Sequence, residues 1–422
     1  MSRHPEEDRV VITGIGCVTP LGHTVTQTWD AILGGQSAMA PITRFDPSGF
    51  GTTFAAEIKG FTSPLSGHHV KWSDDKAAFA SAAVDEALAD AGLERGQIAP
   101  HRMGISVGAE ISRPDLHTLA GRVRTLKTSS PSEVYRSVEP RDFVVMAPWF
   151  PASHLAERVG AEGPTLTTST ACTSSAQAIG DAMRLLRRGE VDVMITGGTD
   201  RLVEEFMVVG FGLLGALSTR NEAPTEACRP FDRTRDGFVL GEGAGFVILE
   251  RLSHARARGA RIHAELLGYG CSANAWRITD SPPDGRGARQ SMMQALTDAR
   301  LNPDEVDYIN AHGTSTQQND ASETAGIRGA LGAAADTTPV SSTKSMMGHL
   351  VAACGAVELI VCVKAIAHGI LPPTLNYEHP DPACDLDYVP KTPRTCDVKV
   401  ALTNAFGFGG SNGTLAVARY EG

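Results

Sequence analysis

Apolar residues along the chain fall into two recurring patterns. Short runs rich in β-branched and aliphatic residues, at Val10 to Ile15, Met103 to Val107, Val191 to Ile195, Phe246 to Leu249, Val306 to Ile309 and Val400 to Leu402, read as buried strands. The first breaks at Gly14 and Gly16, which predicts a strand ending in a glycine turn. Between several of these runs apolar residues recur every three or four positions, as in Lys76 to Ala91 and Ser291 to Ala299. That spacing predicts helices with one buried face. Strands alternating with helices predict a layered α/β fold.

A weak internal echo refines the picture. Pro164 to Cys172 is a short β-like run that passes into a small-residue helix, Ser174 to Arg188, and then a strand at Val191. Pro339 to His349 does the same and passes into a helix from Leu350 to Ala367. Each helix carries a nearly continuous small or apolar face, Ala176, Ile179 and Met183 in one and Ala352, Ala356 and Leu359 in the other, which predicts burial. Two halves of one duplicated fold account for the echo, and no Pro/Ser-rich linker separates them.

Composition narrows the class. With 422 residues, 42% hydrophobic and only 20% charged, the chain can build a large core, which excludes a disordered or fibrous protein. A formal net charge of −10 without a long basic tract argues against nucleic-acid binding. The 8 cysteines are scattered, with no C-x-x-C pair, which argues against a disulfide scaffold or a cysteine zinc site and fits a reducing cytoplasm. The opening MSRHPEEDRVVITGIG lacks the apolar core of a secretory signal, and no uninterrupted apolar run reaches the ~20 residues a membrane span needs. The expectation is a cytoplasmic protein without membrane contact.

Candidate chemistry concentrates at a few junctions. Cys172 lies where a strand gives way to a buried helix, within Ser169 to Ser175. A thiol there feels the positive end of the helix dipole, which favours thiolate, and the turn exposes N–H groups for an oxyanion. A small core cysteine is an equally open reading on position alone. His312 closes the run Asp307 to Ala311 ahead of a hydroxyl-rich Gly-Thr-Ser-Thr turn, and His349 opens the second buried helix behind Lys344 and Gly348. One such histidine is more often structural, but two at strand ends beside glycine turns point to a site. On the duplication, Cys172 and His349 occupy comparable junctions that face one another. Lys344 is the only cation in its hydroxyl-rich segment and needs a carboxylate, for which Glu323 is the natural candidate; Asp320 and Glu323 otherwise read as helix capping. Phe406 to Asn412 reads as a tight glycine hairpin, and the clusters Arg184, Arg187, Arg188 and Arg256, Arg258, Arg261 as solvated helix ends.

Taken together, TACTSS around Cys172, NAHGTST around His312, SSTKSMMGH around Lys344 and His349, and NAFGFGGSNG around Phe408 resemble the elongating β-ketoacyl-[acyl-carrier-protein] synthases, decarboxylating condensing enzymes of fatty-acid and polyketide assembly. VVITGIGCVTPLG, RPFDRTRDGFVLGEGAG and CDLDYVP extend the resemblance almost end to end. It implies a thiolase-like duplicated fold, five layers αβαβα, with residues 1–265 carrying the nucleophile and 266–422 the histidine pair. By the same resemblance Cys172 takes the acyl chain as a thioester, and His312 and His349 promote decarboxylation of malonyl carrier protein. Lys344 and Glu323 hold the histidine region. Cys172, Phe408, Gly407 and Gly409 form the oxyanion hole and gate, Thr314 and Thr316 bind pantetheine, and Ile111 and Phe211 line the acyl pocket.

No metal and no cofactor is implied, the substrates riding on the phosphopantetheine of an acyl carrier protein. VGAEGP at Val159 to Pro164 resembles the catalytic ketosynthase subunits of type II polyketide systems, whereas TACTSS resembles fatty-acid enzymes. The reading leans to polyketide extension, with a chain-length-factor subunit completing a heterodimer; the fatty-acid reading implies a homodimer. The pocket segment Gly108 to Arg113 and the Gly215 that stands where many fatty-acid members carry a docking arginine depart from the family pattern. A non-catalytic, length-setting subunit is the alternative from another class, and the intact cysteine and histidines speak against it. A degradative thiolase would need a second active-site cysteine, and none lies in the motif that would hold it.

Overall fold

The computed structural model describes residues 4–71, 74–112, 116–136 and 139–422; Arg113, at the end of the expected pocket segment, lies outside them. The first half contributes β1 (Val10–Val18), β2 (Met103–Gly108), β3 (Thr165–Thr168), β4 (Val193–Arg201) and β5 (Glu242–Arg251), in the spatial order β3-β2-β4-β5-β1. The second contributes β6 (Ala264–Ala273), β7 (Tyr308–Asn310), β8 (Val340–Ser341), β9 (Val400–Phe406) and β10 (Ser411–Ala418), in the order β8-β7-β9-β10-β6. Both halves pair the second strand parallel to the third and fourth, the fourth antiparallel to the fifth, and the fifth antiparallel to the first. The expected duplication is thus present strand for strand. A short antiparallel join, Val10 to Leu266 through Ile12 to Ala264, makes one mixed sheet of the two.

Helices fill the remaining layers. α1 (Asp75–Ala91) and α2 (Phe150–Val159) cover the outside of the first half-sheet. α3 (Ser174–Arg187) lies inside, and α4 (Glu205–Leu213) follows β4. α5 (Arg286–Ala299) and α6 (Gln317–Leu331) cover the outside of the second half-sheet, and α7 (Cys354–His368) joins α3 in the centre. The central helices touch strands of both half-sheets, which gives the five layers αβαβα. The run Val351–His368 is apolar enough by composition to cross a bilayer, with a mean hydropathy of 1.8, yet 83% of it is buried in this central layer.

Two junction turns express the duplication at atomic scale. Ala171 and Val351 both adopt left-handed backbone, with φ of 53° and 47°. Each opens a single 3₁₀ turn, Ala171–Thr173 or Val351–Ala353, that runs directly into α3 or α7. The counterpart of Cys172 is therefore Ala352. His349 sits three residues earlier and reaches the nucleophile from a different point of its turn.

Gly14 and Gly16 do not end a strand, as their turn propensity suggested. β1 continues through both to Val18, with an irregularity in register between Ile12 and Gly14. A Cβ on Gly14 would lie 2.1 Å from the Ala87 carbonyl oxygen, and one on Gly16 would lie 2.0 Å from that of Ala83. These glycines let α1 press its backbone onto the strand.

Candidate active site

Cys172 sits on the turn that feeds α3, only 4% exposed. The second half closes over it: a Cβ on Gly407 would lie 3.0 Å from the Thr170 carbonyl oxygen and 3.2 Å from the Cys172 nitrogen, so only glycine lets this loop reach the turn unstrained. Burial pushes the thiol up to about 12, against the pull of the Lys344 charge and the N–H groups of Phe408 and of Cys172 itself. The lowered thiol expected from the helix end is thus overridden by desolvation, and the resting sulfur keeps its proton. Those two N–H groups nonetheless converge on it. The neighbouring loop donors do not: Gly407 donates to the Ser411 carbonyl at 2.8 Å and Gly409 to that of Ile278 at 2.7 Å. Of the expected oxyanion set, Cys172 and Phe408 supply the donors, while the two glycines shape the loop.

His349 Nε2 lies 2.9 Å from Cys172 Sγ. The Val351 N–H donates to His349 Nδ1 at 3.3 Å, which leaves the imidazole proton on Nε2, facing the sulfur. His312 stands beside it, ring centroids 5.2 Å apart and planes at 82°. Its buried Nδ1 has no hydrogen-bond partner among the described residues. Sγ and a nitrogen of each ring lie within 4.8 Å of one another. Burial holds both imidazoles well below the ordinary 6.5, and the Lys344 charge pushes the same way. Two neutral rings thus flank a protonated thiol.

The charges around this trio pair differently from the sequence expectation. Lys344 binds Glu358 on α7, both nearly fully buried, and not Glu323. Burial alone would depress the lysine, but the Glu358 carboxylate, together with Cys354 and Glu323, outweighs it and holds the ammonium charged. Glu323 is occupied elsewhere: its oxygens accept from the backbone N–H groups of His312 and Gly313 at 2.8 Å each, and from Asn404 Nδ2 at 3.1 Å. Burial pushes Glu323 up to about 7 in spite of those N–H donors. Glu323 therefore fixes the His312 turn through its main chain. Glu358 was missed, although a carboxylate inside the apolar stretch Val351 to Ala367 is a signal in itself, since such a charge requires a buried partner.

A cavity of about 240 Å³ opens onto the trio and is lined by Thr314 and Thr316, whose hydroxyls lie 2.9 Å apart. The Phe408 ring stacks on Phe211 of α4 at 5.9 Å and 21°; Phe211 meets Phe238 edge-on, and Phe238 meets His349. Phe238 and Phe408 line the cavity, whereas Phe211, expected in the acyl pocket, packs against both of them and is not part of the lining. Ile111, expected in the acyl pocket, is 41% exposed and does not line the cavity. The adjoining Glu110, which sequence reasoning passed over, instead accepts from the Ala171 N–H at 2.9 Å. A thiol within reach of convergent N–H groups and neutral imidazole donors suits acyl transfer followed by stabilisation of a second developing oxyanion.

Comparison with known proteins agrees with this chemistry. Residues 7–255 match the family model described as Beta-ketoacyl synthase, N-terminal domain, and residues 263–378 its C-terminal domain. The chain is 44% identical, over 99% of both sequences, to a 3-oxoacyl-[acyl-carrier-protein] synthase 2 of Synechocystis sp.. It is 41% identical, over 95% of its length and 96% of the relative's, to a putative polyketide beta-ketoacyl synthase 1 of Streptomyces cyaneus. Among solved structures, a type II polyketide acyl-carrier protein in complex with its hexaketide-bound ketosynthase superposes with a TM-score of 0.88 at 33% identity, covering 98% of this chain and 99% of that one. The ishigamide ketosynthase/chain length factor superposes at 0.87 and 34%, with 98% and 99% coverage.

Proposed function

The chain belongs to the β-ketoacyl synthase family, a condensing acyltransferase on the thiolase-like fold, and from that premise we propose that it is an elongating 3-oxoacyl-[acyl-carrier-protein] synthase of the fatty-acid type. The observation that carries the reading is Cys172 Sγ at 2.9 Å from His349 Nε2, with a second neutral imidazole 5.2 Å further on, in one cavity.

In the first half-reaction the Cys172 sulfur attacks the acyl thioester of a carrier protein. The carbonyl oxygen gathers negative charge between the N–H groups of Cys172 and Phe408, and the pantetheine thiol departs with the proton that Cys172 gives up. In the second, malonyl carrier protein enters along Thr314 and Thr316 and loses CO₂. The resulting enolate oxygen takes its hydrogen bonds from the two imidazoles, and the enolate carbon attacks the Cys172 thioester. A carbon–carbon bond forms, the cysteine thiolate leaves and takes a proton from solvent, and a 3-oxoacyl carrier protein departs. Lys344 and Glu358 stand behind the histidines, and the steps proposed call on no metal, so treatment with EDTA is expected to leave turnover unchanged.

The sequence leaning toward polyketide extension gives way here to its alternative, because the Synechocystis relative matches at 44% against 41% for the polyketide one. On this reading the partners are an acyl carrier protein and a second copy of the chain. The polyketide reading, with a chain-length-factor partner, draws support from the two solved neighbours. Incubating the purified chain alone with hexanoyl and malonyl carrier proteins separates them. Mass spectrometry is expected to find 3-oxooctanoyl carrier protein with no added subunit. Condensation only in the presence of a chain-length-factor subunit would instead establish the polyketide reading, and no decarboxylation in either arrangement would refute both.

A further inference from the structure

We propose that Glu110 is a positioning residue for the nucleophile: its side chain ties down the strained turn that presents Cys172, while buried Lys76 holds its main chain. The proposal rests on the acyl-acceptor role given to Cys172 above, and Glu110 plays no part in that mechanism.

Glu110 follows β2 by two residues. Its Oε1 accepts from the Ala171 N–H at 2.9 Å, from Ser169 Oγ at 3.1 Å and from Ser174 Oγ at 3.3 Å. These contacts span the turn on both sides of Cys172. Ala171 is the residue held at φ 53°, a conformation that a non-glycine residue keeps only when its surroundings hold it there. The carboxylate grips that residue by its own N–H.

The main chain of Glu110 is held in its turn. Lys76 Nζ donates to the Glu110 carbonyl at 2.6 Å, and the Lys76 carbonyl accepts from Thr199 Oγ1 at 2.8 Å. Lys76 is 1% exposed, so its ammonium lies within the packed interior and needs the oxygens around it. Asp200, also 1% exposed, feels the charges of both Lys76 and Glu110 and accepts from the Ala352 N–H at 3.2 Å. Ala352 is the counterpart of Cys172, one residue beyond the Val351 N–H that orients His349. Glu110 under the cysteine turn and Asp200 under the histidine turn thus both lie in the field of one buried cation, Lys76. Glu110 touches neither histidine, so its loss should separate the half-reactions: acyl transfer needs the Cys172 turn, whereas decarboxylation needs the imidazoles.

The test uses E110A, E110Q and K76M in the full chain, with three readouts. Alkylation of Cys172 by iodoacetamide is followed against pH and needs no carrier protein; acyl transfer from hexanoyl carrier protein and decarboxylation of malonyl carrier protein are followed separately. E110A is expected to lower kcat for acyl transfer at least tenfold, with KM and the decarboxylation rate within twofold of wild type. E110Q keeps an oxygen for the Ala171 N–H and is expected to stay within threefold. It also moves the alkylation midpoint to lower pH, because a negative charge near the thiol has gone. K76M falls between the two. Acyl transfer and an alkylation profile in E110A that match wild type would overturn the proposal, as would equal losses in both half-reactions. If wild type itself takes no acyl group, the functional reading fails, and the limiting alkylation rate at high pH, expected to change in E110A but not in E110Q, still decides the role of Glu110.

Discussion

At the residue scale, the site is governed by competition between burial and charge. Desolvation raises the Cys172 thiol to about 12 and depresses both histidines, while Lys344, itself held by Glu358, biases the same three groups from behind. The sign for the histidines is clear. Their folded values lie well below 6.5, so the folded protein binds fewer protons than the unfolded chain at mildly acid pH, and these two groups oppose folding increasingly as pH falls below about 6.5. In the same window they stay neutral in the folded enzyme. The decarboxylation rate of malonyl carrier protein is therefore expected to stay within twofold from pH 8 to pH 6.5, measured by CO₂ release. A tenfold fall across that range would show an imidazole titrating there.

At the element scale, close backbone approach decides both stability and legibility. G16A would drive a Cβ to 2.0 Å from the Ala83 carbonyl oxygen and push α1 off β1, at a cost of about 1–3 kcal/mol. Urea unfolding is expected to show that loss while kcat/KM, measured well below the transition, stays near wild type. The same feature explains what the sequence withheld. The aliphatic runs located β1, β2, β4, β5, β7 and β9, but β6 and β10 escaped notice. In β6, Gly268 and Gly270 dilute the strand signal where α5 lies against it, their Cβ positions falling 2.6 Å and 2.0 Å from carbonyl oxygens of Ala295 and Ser291. Cys172, His312 and His349 were legible because glycine and hydroxyl residues mark turns where strands meet helices. The Lys344 partner was not, because periodicity places Glu358 on a buried face without saying which buried cation it meets. Glu110 was hidden for a similar reason, since its hydrogen bonds reach about 60 residues ahead.

At the scale of the whole molecule, the candidate site draws on both halves. Cys172 comes from the first, both histidines and Phe408 from the second, and the central helices α3 and α7 set the distance between them. One sheet end is left open: β3 is an edge strand, and Leu166 on it is 38% exposed. An unpaired edge rich in threonine, with Leu166 exposed on it, invites pairing with a second copy. On the proposed pairing with a second copy, L166E is expected to be a monomer in light scattering where wild type is a dimer and to lose condensation activity with it; a wild type that is monomeric, or an L166E variant that is dimeric, would exclude this edge as the contact. The central claim, that one catalytic unit passes an acyl group through Cys172, is tested most directly by quenching the enzyme after mixing with hexanoyl carrier protein and mapping the adduct by peptide mass spectrometry. A hexanoyl group is expected on the Cys172 peptide and is expected to disappear as 3-oxooctanoyl carrier protein forms on adding malonyl carrier protein. Condensed product from an enzyme that never carries the adduct at Cys172, or an adduct on another cysteine that C172A retains together with activity, would contradict it.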